Sequence, residues 1–186
     1  QTGAYAHQAG HDINYIAMTG ALAMFRDSDG ARPVPPVNLL GDFAGGSLSC
    51  ALGITLALHE RHSSGRGQVI DAAMLDGAVY LSSFLHRLQS MGLWAQRPGS
   101  NLLDGGAHFY GTYECKQADG RGPEFVAVGA IEPQFYAELL LRLNLQDDPE
   151  LQDPMDTARW PMMRKRLAEV FCARTRDEWA EHFNGS

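Results

Sequence analysis

Basic residues are in the minority: 15 Lys and Arg face 22 Asp and Glu, the net charge is −7, and no local Lys/Arg cluster offsets it. Such a chain repels a phosphate backbone, so nucleic acid is not an expected partner. Cysteine is scarce as well. Cys50, Cys115 and Cys172 are far apart, odd in number and without CxxC-type spacing. That excludes a disulfide framework and a cysteine-based metal site, and points to reduced thiols in a cytosol-like compartment. No apolar run of the roughly 20 residues that cross a bilayer is evident, because the most apolar stretch, Leu48 to Leu58, is interrupted by Ser, Cys, Gly and Thr. A soluble, cytoplasmic protein without a membrane segment is expected. Neither a starting Met nor a leader pattern is present, and the sequence stops at Asn184-Gly185-Ser186 directly after a helical pattern, so it reads as a piece of a longer protein.

What is present is globular in character. In 186 residues, 45% are hydrophobic and 20% charged, enough for one good core or two small ones. Ile13, Ile16, Ala17, Ala21 and Met24 recur at helical spacing and predict a helix over Asp12 to Phe25, with Asp12 as its N-cap. Pro33, Pro35 and Pro36 make Arg26 to Asn38 a loop. Small and apolar residues from Gly45 to His59 predict a buried helix that starts beside Asp42 and stops at Ser63-Ser64-Gly65. A strand over Gln68 to Ile70 and a long helix over Ala72 to Met91 follow, then a Gly/Pro-rich linker over Trp94 to Gly106. Past the linker, His108 to Cys115 and Glu124 to Val128 flank the turn signal Asp119-Gly120 and predict a hairpin. Helices are expected over Pro133 to Leu143 and Arg159 to Ala173, and a short one opens at Thr175 with Glu178 completing a capping box. Met18, Met24, Met74 and Met91 fall on helices and are expected in the core, although Met74 with Leu75 also suits the wall of an acyl pocket.

Three polar groups stand at helix mouths. His11, in Gly10-His11-Asp12-Ile13-Asn14-Tyr15, is either a capping and packing residue or a base. Asp42, in Asp42-Phe43-Ala44-Gly45-Gly46, either caps its helix or is a carboxylate held ionised by the helix dipole. The Gly45-Gly46 N–H groups beside it are expected to receive a developing oxyanion. Glu132, ahead of Pro133, is a cap or an orienting carboxylate. Together they would supply a base, a second acid/base and an orienting group, although spacing alone does not bring them together.

Five motifs occur in order: GHDINYIAMTGAL, NLLGDFAGGS, GQVIDAAMLDG, NLLDGGA and AVGAIEPQF. In order and separation they resemble the α-methylacyl-CoA racemases of the type III CoA-transferase superfamily, and the resemblance runs the length of the chain. It implies an α/β fold: part of a Rossmann-like large domain over 1–71, a linker helix and connector over 72–106, and a small α+β domain over 107–186. It also implies an interlocked homodimer, and longer proteins with segments at both ends. Carried over, His11 and Asp42 are the acid/base pair on opposite faces of the substrate α-carbon, and Glu132 lies near a His11. Tyr15, Asn38, Gly45, Gly46, Met74, Leu103 and Ile131, within or beside these motifs, are the expected substrate-binding residues. His108 departs from the pattern, since it stands where the family commonly has Pro, and a packing or surface role is expected for it.

The implied reaction interconverts (R)- and (S)-2-methylacyl-CoA thioesters by removal and return of the α-proton through an enolate, with no metal and no cofactor beyond the CoA of the substrate. The alternative is a type III CoA transferase in which Asp42 attacks the thioester as a nucleophile, a chemistry that needs no histidine base. A third reading is a catalytically incomplete segment of such an enzyme.

Overall fold

The computed structural model describes residues 3–26, 31–118 and 120–185. They fall into two compact units that divide after Gln96. The expected connector over 72–106 is split by this boundary, its helix packing within the first unit and the residues from Arg97 onward belonging to the second.

In the first unit, helix α1 spans Asp12–Met18. It is shorter than expected because Gly20 turns into the left-handed region at φ 80°, after which Ala21–Met24 form a 3₁₀ turn. His11, not Asp12, is the N-cap: its backbone is extended and its N–H donates to Asn14 Oδ1 at 3.0 Å. Asp12 is the first helical residue and is buried.

The second helix starts earlier than Gly45. A π-helix, Leu39–Leu48, runs directly into α2, Ser49–Ser64, which Gly65 ends at φ 73°. Asp42 therefore lies inside the first turn rather than ahead of it. Wide π turns of this kind are rare and concentrate at functional sites.

Helix α3, Met74–Ser90, crosses the π-helix at a glycine pair. A Cβ on Gly77 would lie 1.9 Å from the Gly45 carbonyl oxygen, so the two backbones are in contact and no side chain fits between them.

α2 buries none of its residues within this unit, and Leu52, Ile54, Leu56 and Leu58 are exposed. Leu39–Ser64 is 26 residues long and, by length and composition alone, apolar enough to cross a membrane. This differs from the sequence expectation, because small residues such as Gly, Ala, Ser and Thr interrupt an apolar run on paper without interrupting a helix. A helix apolar on every side is either the core of a larger domain or a membrane span. The strand expected over Gln68 to Ile70 is not formed: no neighbour pairs with it among the described residues, and Val69 is 96% exposed. Met18 and Met91, expected in the core, are 58% and 53% exposed.

The second unit holds a two-stranded antiparallel sheet. β1, Tyr110–Glu114, pairs with β2, Phe125–Gly129, with Tyr110 opposite Gly129 and Glu114 opposite Phe125. Gly120, at φ 76°, belongs to the expected turn, while Asp119 lies outside the described residues. Backbone bonds from Cys115 N–H to Glu124 and from Ala130 N–H to Phe109, both 2.9 Å, extend the ladder at each end. Two outward carbonyls of β1, those of Thr112 and Glu114, are taken by helix α5, Trp160–Phe171, and the residue after it. Arg164 Nη2 donates to Thr112 at 3.2 Å, and Cys172 Sγ to Glu114 at 3.4 Å.

Helix α4, Pro133–Arg142, begins with proline at its first position, where the missing N–H costs nothing. Helix α6, Arg176–His182, opens on the expected capping box: Thr175 Oγ1 accepts from Glu178 N–H, and Glu178 Oε2 accepts from Thr175 N–H at 2.8 Å. These helices and strands close a core of Phe109, Tyr113, Tyr136, Leu139, Trp160, Leu167, Phe171 and Trp179. The connector residues are ordered rather than slack. The Asp104 carboxylate accepts from the N–H groups of Gly99, Asn101 and Gly106 at 3.0, 2.8 and 3.2 Å.

Candidate active site

The first unit gathers its polar groups where two helices begin. Asn38, in the left-handed region at φ 62°, caps the π-helix and directs Nδ2 to Asp42 Oδ2 at 2.6 Å. That bond orients the carboxylate. Ser47 Oγ donates to the Asp42 carbonyl at 2.8 Å. From α1, Asp12 Oδ2 accepts the N–H groups of Gly41 and Asp42 at 2.8 and 2.9 Å. The cap of α1, His11, is exposed and one residue from Asp12, so this carboxylate links the backbone at His11 to that at Asp42.

Beside this corner is a cleft of about 1040 Å³ lined by Asp42, Gly46, Tyr15, Met74, Leu75 and Cys50 among others. Four of the expected site residues, Tyr15, Asp42, Gly46 and Met74, thus share one cavity, and Asn38 acts on it through Asp42. His11 does not line the cleft itself. Gly45 is a correction: it faces α3 and is occupied by the crossing with Gly77 and Ala78. The oxyanion role expected of the Gly45-Gly46 N–H groups is corrected too, since both lie inside a helix, where N–H groups serve its own ladder. The first-turn donors of Gly41 and Asp42 are already bound by Asp12.

Leu103, Ile131 and Glu132 belong to the second unit. Ile131 lines a separate cavity of about 300 Å³ with Phe109, Tyr136 and Leu151. Glu132 is the exposed N-cap of α4, and it is its carbonyl, not its carboxylate, that accepts from Phe135 and Tyr136 at 3.0 and 2.9 Å. His108 is fully buried, a packing role. Among the described residues, no group of three or more His, Cys, Asp or Glu side chains is arranged to hold a metal ion.

Sequence reasoning missed Asp12. Its signal was an acidic residue at a helix start, which reads as a cap, and only the packing of the π-helix against α1 turns it into a bridge. Asn38 was expected at the substrate, and one N–H of its side chain is given to Asp42.

The family model for CoA-transferase family III matches residues 1–186. The chain is 56% identical over 186 residues to the alpha-methylacyl-CoA racemase of Mus musculus and 52% identical to that of Homo sapiens. All of this chain is matched in both cases, and it spans 47% of each relative, about half their length. A crystal structure of a CAIB/BAIF family protein from Brucella suis superposes with a TM-score of 0.67 at 20% identity, covering 97% of this chain and 47% of that one. That likeness establishes an α/β fold of the same kind. With a family model matched from end to end and relatives more than half identical throughout, the chain belongs to CoA-transferase family III.

Proposed function

We propose that this chain is part of an enzyme that inverts the α-carbon of 2-methylacyl-CoA thioesters. The observation that carries the reading is the joined pair of helix starts, which sets a histidine and a carboxylate on neighbouring segments of one unit. One of them removes the α-proton. The C–H electron pair moves into a Cα=C bond and the carbonyl pair moves onto oxygen, giving an enolate. The other group then returns a proton to the opposite face. His and Asp can each act as acid or base near neutral pH. The sequence needs no electron acceptor and no metal, and CoA enters as part of the substrate. The likeness to two proteins named alpha-methylacyl-CoA racemase supports the same reading. A homodimer and the parts given to Glu132, Leu103 and Ile131 rest on the family resemblance alone, and a cytoplasmic location rests on the scattered, unpaired cysteines.

A transferase reading makes Asp42 a nucleophile, and the hydrogen bond from Asn38 is compatible with that. It leaves His11 without a task. The full-length protein, incubated with either enantiomer of a 2-methylacyl-CoA in heavy water, is expected to return deuterated acyl-CoA of mixed configuration with no free CoA. Trapping of an acyl group on Asp42 by hydroxylamine, with transfer of CoA to an added carboxylate and no α-deuterium, overturns the racemase reading in favour of the transferase.

A further inference from the structure

Among the described residues Asp12 is the one buried carboxylate, 2% exposed. A buried charge is costly unless it is well hydrogen-bonded. Here a single oxygen takes two bonds, from Gly41 and Asp42. Both donors belong to the first turn of the π-helix, where backbone N–H groups otherwise lack a partner and where the dipole favours negative charge. The carboxylate is thus satisfied by one helix start while its own backbone forms another. Gly41 completes the arrangement: a Cβ there would lie 2.4 Å from Asp12 Oδ2 and 3.1 Å from Met74 Sδ, so a side chain at this position would drive the carboxylate out.

We propose that Asp12 is a positioning residue that sets the geometry between His11 and Asp42. The proposal rests on the two-base reading above. Two-sided proton transfer needs both groups held against one carbon at once, and a displacement of about 1 Å is enough to cost on the order of a hundredfold in rate. Asp12 is committed to backbone and acts through the segments it joins. Its loss therefore lowers turnover without weakening substrate binding. It also slows α-proton exchange from both enantiomers alike, whereas loss of either base affects them unequally.

The test uses full-length protein with Asp12→Ala, Asp12→Asn and Gly41→Ala. Asp12→Ala is expected to reduce kcat by about tenfold or more at nearly unchanged KM, equally for α-exchange of both enantiomers, and Gly41→Ala to reduce kcat by at least as much. Amide exchange followed by mass spectrometry is expected to speed up over residues 41–42 in both variants. Asp12→Asn keeps an oxygen that can take both bonds, so its activity and amide protection stay near the parent's. The double variant Asp12→Ala with Gly41→Ala is expected to be no worse in kcat than Gly41→Ala alone, since the Asp12 contact is already lost there. If Asp12→Ala does not fold, Asp12→Ser, whose hydroxyl falls short of both N–H groups, takes its place.

Unchanged kcat in a variant whose 41–42 amides have opened overturns the proposal while the two-base reading stands. Equal damage from Asp12→Asn and Asp12→Ala also overturns it, because charge and not position is then what matters. Retention of α-exchange by both His11→Ala and Asp42→Ala removes the two-base reading itself, and the proposal with it.

Discussion

Nε2 of His108 lies 2.9 Å from the hydroxyl of Tyr136, which in turn donates to the Leu151 carbonyl at 2.9 Å. The tyrosine proton is spent on Leu151, so the histidine must be the donor, and its proton sits on Nε2. Nδ1 is buried without a hydrogen-bond partner. Burial, and next the charge of Arg164, hold this imidazole at a pKa of about 4, down from 6.5. The Tyr113 hydroxyl donates to the His108 carbonyl, and burial pushes that phenol up to about 12. The result is a neutral polar chain through the aromatic core of the second unit.

This chain carries an acid sensitivity. Between pH 6.5 and about 4 the unfolded form binds a proton that the folded form refuses. The stabilisation is complete above pH 6.5 and is lost as pH falls through that window, amounting to about 3 kcal/mol when both forms are protonated. Urea midpoints followed by tryptophan fluorescence, with Trp160 and Trp179 reporting from this core, are expected to fall more steeply with acid in the parent than in His108→Gln. The same acid limb in both proteins speaks against it.

Gly77→Ala is expected to destabilise the first unit by about 2 kcal/mol or more, because the new methyl meets backbone and no rotamer relieves it. Gly67, which has open space around it and no positive φ, serves as the control: Gly67→Ala leaves the melting temperature nearly unchanged.

Asn38→Gly isolates one hydrogen bond. Glycine accepts φ 62° without strain, so the cap geometry persists while the 2.6 Å contact to Asp42 is lost. Under the proposed function, kcat is expected to fall by about tenfold with KM little changed. A fall in thermal stability with kcat intact would mark Asn38 as a cap only.

His11→Ala and Asp42→Ala are each expected to slow racemisation by on the order of a hundredfold or more in the full-length enzyme. Deuterium incorporation into each enantiomer separately is expected to reveal the difference between them, one variant sparing exchange on one face and the second on the other. Mild, equal losses would leave His11 as a helix cap and Asp42 as a partner of Asn38.

Periodicity and caps located most helices, because helix signals are local. The Thr175 box and Pro133 at the start of α4 are legible in a handful of residues. Where expectation and structure differ, partners distant in sequence decide. Gln68 to Ile70 has strand-forming residues, but a strand is a relationship with a neighbour, and none stands beside Val69. The π-helix begins ahead of the glycines because Asn38 accepts a left-handed backbone, a choice that composition does not announce. At the site, residue types pointed to His11 and Asp42, while the bond that links their segments spans 30 positions and depends on how α1 meets the π-helix. Gly45 looked like an anion cradle and is a packing contact, because both uses of glycine leave the same letter in the sequence.

The capping of β1 by Arg164 and Cys172 gives its sheet a direction. With the Thr112 and Glu114 carbonyls satisfied by Arg164 and Cys172, that margin is blunted against further pairing. In the alternating ladder the residues of β2 that turn their backbone away from β1 are Phe125, Ala127 and Gly129, all exposed and uncharged. Growth of this sheet is therefore one-sided in preference: an added strand, from the same polypeptide or a foreign one, finds its open margin along β2.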